Sequence, residues 1–107
     1  MRLLILLLAF AVAGAAQARG NAASGKAKAE QVCSACHGPD GNKPSAPDQP
    51  VLAGQYYDYL VRALSDYKAG HRSNAIMKAF AGQLSKKDIE DLAAWFSSQK
   101  SSLHDQR

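Results

Sequence analysis

Apolar residues recur along this chain in two rhythms. Leu3 to Val12 is an unbroken apolar run behind Met1 and Arg2. Further on, apolar positions spread to helical spacing. Ser24 reads as an N-cap, with Gly25, Ala29 and Val32 on one stripe leading into Cys33. Residues 38–50, GPDGNKPSAPDQP, are dense in Gly, Pro, Asn and Asp and predict a loop. A loop this long in a small domain is usually functional or packed on something. A second helix is predicted after Gly54, where Tyr56, Leu60, Ala63, Leu64 and Tyr67 share a face and Gly70 stops it. Residues 71–74 read as a turn and Ile76 to Ala81 as a short helical piece. Ser85 and Asp88 form a capping-box pattern with Asp in place of Glu. Ile89, Leu92, Ala93 and Phe96 then make an i, i+3, i+4, i+7 face. Beyond Ser97 the pattern lapses, which predicts a frayed tail. With no strand signal and no internal repeat, the fold class is all-α.

The first run sets the compartment. A positive start, a short apolar stretch and the small residues of Ala16-Gln17-Ala18 have the form of a cleaved secretory signal. The run is shorter than the roughly 20 residues a membrane-spanning helix needs. Residues 1–18 are therefore expected to be removed, with Arg19 the first mature residue and no stable membrane insertion afterwards. Residues 19–107 make one small domain, its ordered core at about 22–100. A domain of this size is often stabilised by a staple or a cofactor.

The formal charge of +4, to which Arg2 contributes one, excludes little. The basic residues are scattered, and the adjacent pair Lys86-Lys87 has Asp88 beside it. A nucleic-acid partner would want a basic stripe with planar side chains between the charges, and none is present. Lysines near a redox centre could steer an acidic partner, but a solvated face is the default reading.

Cys33-Ser34-Ala35-Cys36-His37 carries the chemistry. The run C-x-x-C-H is the attachment signature of a c-type haem. Residues three and four apart lie on one helical face, so both thiols and the imidazole can reach the same flat ligand. Cys33 and Cys36 would form thioethers to the ring and His37 would ligate the iron. A zinc site would want four ligands at suitable spacing, and only His71 and His104 remain. A redox dithiol of the thioredoxin kind would want a strand before the motif, where the sequence reads as helix. A disulfide between Cys33 and Cys36 would close too small a loop to stabilise much. One covalent haem c is the expected cofactor, and no other metal.

The sixth iron ligand separates an electron carrier from a binding site. Met77 is the one methionine outside the apolar leader. A methionine thioether opposite the histidine closes the iron and raises its potential. Against this, methionine is also an ordinary gap-filling core residue. His71 and an open iron are the alternatives.

In its motifs the chain resembles a class I c-type cytochrome, the small bacterial monohaem kind, similar to one half of the periplasmic dihaem cytochromes. The matching residues are Cys33-x-x-Cys36-His37-Gly38, Asp40-Gly41-Asn42, Pro50 to Gln55, Tyr59-Leu60, Gly70-x-Arg72 and Met77. They end with Leu84-Ser85 and Ile89-x-x-Leu92-Ala93-Ala94-Trp95-Phe96. The resemblance implies a small cytochrome c-like fold, its N- and C-terminal helices crossed and packed around one haem. It implies that the Pro50 carbonyl binds the free nitrogen of His37 and that Gln55 and Arg72 support the haem propionates. Gly25 then allows close approach at the crossing, where Trp95 stands in place of the commoner tyrosine. His71 falls at a position the family leaves variable.

The expected function is a periplasmic one-electron carrier with His37/Met77 ligation, shuttling electrons between a donor and an acceptor redox complex. It is not expected to be an enzyme. Val32, Leu52, Leu60, Leu64, Ile76, Phe80, Leu92 and Phe96 would keep water from the iron. The rival readings are a haem-based small-ligand binder or sensor with an open sixth site, a peroxidase with a distal acid–base group, and a haem subunit docked to a larger oxidoreductase. Partner identity and oligomeric state are not written in the sequence.

Overall fold

The computed structural model describes residues 19–103. Five helices follow one another: α1 (Ala22–Val32), α2 (Ser34–His37), α3 (Tyr57–Ala69), α4 (Ala75–Ala81) and α5 (Lys86–Ser97). None of the described residues lies in a strand. The expected signal peptide, residues 1–18, falls outside the described residues, as does the chain from residue 104 onward.

The first and last helices cross, and Gly25 is the reason they can. A β-carbon built there would sit 1.9 Å from the backbone oxygen of Asp91 and 2.9 Å from Cβ of Trp95. No larger residue fits without parting the two backbones. Trp95 lies against the same crossing, its indole N–H donating to the carbonyl of Pro39 at 3.2 Å.

Helix α1 begins earlier than the pattern suggests. Asn21, rather than Ser24, is the N-cap, and its side-chain oxygen accepts from the backbone N–H of Ser24 at 2.9 Å. Both residue types cap helices well. A tertiary bond decides between them, because the Asn21 N–H donates to Oδ1 of buried Asp91 on α5 at 2.7 Å.

The remaining boundaries follow local chemistry closely. Gly70 ends α3 in the left-handed region, φ 81°, which a residue without Cβ adopts freely. Ser85 accepts from the N–H of Asp88 at 3.0 Å while the Asp88 carboxylate accepts from the N–H of Ser85 at 3.0 Å, completing the capping box of α5. Leu92 and Ala93 are wholly buried, with Ile89 and Phe96 nearly so. They join Ala29, Leu60 and Leu84 in the core.

Residues 98–103 are packed, where a frayed tail was expected. Nδ2 of Asn42 donates to the carbonyl of Lys100 at 2.9 Å, and Oδ1 of Asn42 accepts from the N–H of Ser102 at 2.8 Å. Ser101 is buried, and the Gly54 N–H donates to the carbonyl of Phe96 at 2.9 Å. A segment tied down in this way is ordered whatever its periodicity.

Candidate functional site: a haem cleft

The motif sits where α1 breaks into α2. Cys33 caps α1, its N–H donating to the carbonyl of Ala29 at 2.9 Å, and the Ser34 hydroxyl donates to the same oxygen at 2.9 Å. One helical turn later, the His37 N–H donates to the carbonyl of Cys33 at 3.0 Å. This turn places Cys33, Cys36 and His37 on the wall of a single cleft of about 420 Å³.

His37 is buried, and its Nδ1 lies 3.0 Å from the carbonyl oxygen of Pro50. With that nitrogen engaged, Nε2 is left as the free ring nitrogen. The loop 38–50 therefore closes over the motif and returns to it. The other walls come from α3, α4 and α5. Leu60, Ala63 and Leu64 contribute from α3, Ile76, Met77 and Phe80 from α4, and Leu92, Ala93 and Phe96 from α5.

Met77 lies on the cleft wall, half-buried, its helix started by Asn74, whose side chain accepts from the N–H groups of Ile76 and Met77 at 3.1 and 3.0 Å. His71 is exposed and is not among the residues of this wall. His104 falls outside the described residues. Gln55 and Arg72 both border the cleft. The Gln55 side-chain oxygen accepts from the N–H of Tyr56 at 2.9 Å. Arg72 is exposed, donates to the Tyr59 hydroxyl at 3.3 Å and stacks 4.9 Å from the Tyr67 ring centroid. The Tyr59 hydrogen bond is the main reason its guanidinium holds its proton more firmly than usual.

The tyrosine stripe divides by role. Tyr59 and Tyr67 border the cleft. Tyr57 turns to residues 19 and 20, its hydroxyl accepting from the Gly20 N–H at 3.2 Å with the Arg19 guanidinium 4.9 Å from its ring. Tyr56 is exposed. All eight side chains expected to exclude water border the cleft, Ile76 and Phe80 being the two least covered by the protein itself, at 65 % and 40 % exposure. Their helix is seven residues long and packs on α3 alone among the helices with substantial contact. Periodicity did not reveal Leu84 and Ala81, buried residues that border the cleft from beside a turn. Nor did it reveal Gln49, a polar loop residue with no pattern to mark it.

The donor set fits haem c and disfavours its rivals. Burial, reinforced by the neighbouring Cys36, pushes the Cys33 thiol up to about 11, only partly countered by Lys28. A reactive dithiol or zinc ligand wants a lowered thiol pKa. Among the described residues, no group of three or more His, Cys, Asp or Glu is placed to hold a metal ion. What the cleft offers is a broad apolar space with two thiols and one imidazole at its wall and an arginine at its edge. That is the complement of a flat, covalently held ring with acidic substituents.

Known proteins give the same answer. Residues 20–96 match the family described as cytochrome c oxidase, cbb3-type, subunit III. Cytochrome c4 of Pseudomonas aeruginosa is 48 % identical over 101 residues, covering 94 % of this chain and 49 % of the relative. Cytochrome c-554(548) of Halomonas halodenitrificans is 43 % identical over 84 residues, covering 76 % of this chain and 99 % of the relative. The crystal structure of reduced recombinant cytochrome c4 from Pseudomonas stutzeri superposes with a TM-score of 0.72 at 46 % identity, over 78 % of this chain and 47 % of that one. The chain thus spans about half the length of the cytochrome c4 relatives it matches. It belongs to the class I c-type cytochromes, on the cytochrome c fold, with haem c as its covalent cofactor.

Proposed function

We propose that the chain is a periplasmic one-electron carrier whose haem iron is held by His37 and Met77. The observation that carries this reading is the shared cleft wall. The motif, the Pro50-engaged imidazole and the sole thioether of the described residues all open onto it, while His71 does not. When bound, the haem supplies a one-electron iron couple.

The chain's own residues do the rest. Cys33 and Cys36 fix the ring, so the cofactor is not lost between electron transfers. Pro50 accepts the Nδ1 proton of His37, which sets the tautomer, fixes the ring plane and raises the basicity of Nε2. The Met77 thioether would be the second side chain to hold the iron, leaving no place there for substrate. Apolar side chains from three helices keep water out. That disfavours the extra charge of the oxidised state and adds to the effect of the thioether. Arg72 and Gln55 stand where they can hold acidic ring substituents, Arg72 fixed by Tyr59 and Tyr67.

The same proposal includes a signal peptide at residues 1–18, a single domain over residues 19–107, and redox proteins as donor and acceptor. It includes no enzymatic turnover. No helix of the described residues is long and apolar enough to cross a membrane.

The test is Met77→Ala in the holoprotein. The expected result is loss of the near-infrared charge-transfer band of a ferric iron–methionine bond. The midpoint potential should fall by on the order of 0.1 V, within the roughly 0.8 V that axial ligands span. An unchanged spectrum and potential would remove Met77 from the iron. Carbon monoxide binding by the unsubstituted reduced protein at neutral pH would favour the ligand-binding alternative.

A further inference from the structure

A chain of hydrogen bonds leaves His37 through its backbone and comes back to its ring. The His37 carbonyl accepts from the N–H of Lys43 at 3.2 Å, and the Cys36 carbonyl from the N–H of Ser45 at 2.9 Å. At the far end, His37 Nδ1 meets the Pro50 carbonyl at 3.0 Å. Between Ser45 and Pro50 the turn is closed by Gln49 twice: its backbone N–H donates to the Ala46 carbonyl at 3.1 Å, and its side chain makes the remaining links. Oε1 of Gln49 accepts from the Ser45 N–H at 2.9 Å, the Ser45 hydroxyl at 2.9 Å and the Ala46 N–H at 3.1 Å. Pro47 and Pro50 have no N–H to give, so backbone bonding cannot do this work alone. Gln49 directly precedes Pro50, and its side-chain bonds fix the peptide whose carbonyl faces the imidazole.

We propose that Gln49 is a positioning residue for the haem ligand: by closing the Ser45–Gln49 turn it holds the Pro50 carbonyl against His37 Nδ1 and so sets the electron-donating strength of the axial imidazole. This rests on His37 as the iron ligand, as proposed above. A firm Nδ1–H···O bond makes the imidazole a stronger donor. Hydrogen bonding around the ligand is one of the levers on haem potential. A stronger donor favours ferric iron, so loosening the turn raises the midpoint potential.

The experiment uses the matured holoprotein, reduced, with proton NMR of the His37 Nδ1–H and redox titration. Gln49→Leu removes the accepting oxygen at similar size. The Nδ1–H should then exchange with solvent about fivefold faster, the weight of one ordinary hydrogen bond, and the midpoint potential should rise. Gln49→Glu keeps an accepting oxygen and should restore slow exchange. A lowered melting temperature in Gln49→Leu with exchange and potential both unchanged would overturn the proposal, leaving Gln49 a merely structural residue. Should Gln49→Leu fail to mature, Ser45→Ala removes one of the three bonds. It must then show both shifts in smaller measure, and no shift would equally overturn the proposal. If the unsubstituted protein shows no iron-bound histidine at all, the ligation reading fails first, visibly and before any substitution is made.

Discussion

The α1–α5 crossing and the α3–α4 wall of the cleft are built from similar residues but hold together differently. At the crossing the chain packs on itself. Gly25 and Ala29 meet Asp91, Leu92 and Trp95, and burial of Ala29 and Leu92 is complete. At the cleft wall Ile76 and Phe80 remain exposed, and α4 is two turns long. One region carries its own stability, whereas the other presents apolar surface to a cofactor. In a domain this small the division is economical, because few residues are free to build a second core. It also places the softer wall where the sixth iron ligand is proposed to reside.

The sharpest way to break this contrast is Gly25→Val. The added Cβ meets backbone at 1.9 Å, which no side-chain rearrangement relieves. Overpacking of this kind costs about 3 kcal/mol or more. For a domain of this size the melting temperature should fall by about 12 °C or more. Thermal unfolding of the holoprotein measures it. A melting temperature within a few degrees of the parent would mean that the helices do not cross as closely as they are drawn.

Acid tests the same region more gently. Burial works to raise the Asp91 pKa, but the Lys87 ammonium and the Asn21 N–H outweigh it and hold the carboxyl below its ordinary value. A depressed carboxylate stabilises the fold above its unfolded pKa of about 4, and that contribution is lost as pH falls through the folded value. Asp91→Asn should therefore melt below the parent at pH 7, with the gap narrowing as pH drops under about 4. A gap that stays constant with pH would mean that the charge of Asp91 contributes nothing and only its shape matters.

The crossing itself came from the family resemblance, but helix α5 was legible in the sequence because its determinants are local and periodic. The face Ile89, Leu92, Ala93 and Phe96 repeats at helical spacing, and the Ser85–Asp88 box announces its own start. The all-α class and the C-x-x-C-H motif were readable for the same reason, since a few neighbouring residues specify each. Where partners lie far apart in the chain, the signal failed. Asn21 displaced Ser24 as cap through a bond to Asp91, 70 residues away. Lys100 and Ser102 are held by Asn42, 58 and 60 residues distant. Gln49 sits in a loop where no rhythm marks any residue, and Leu84 is buried by its position beside a turn.

The smallest expected effect lies on the cleft wall. Ile76→Ala removes a side chain that borders the cleft and is 65 % exposed from the protein's own atoms, so further cover would come from the haem. A fully buried residue of this size costs about 2–5 kcal/mol on truncation, because a cavity is left behind. One covered only on its haem side should cost less, about 1 kcal/mol. The holoprotein of Ile76→Ala should thus melt only about 4–8 °C below the parent, while Gly25→Val falls further. A loss of several kcal/mol instead would show that α4 draws its stability from the haem face of Ile76. The two regions would then differ in what they pack against, chain or cofactor, and no longer in how much each contributes.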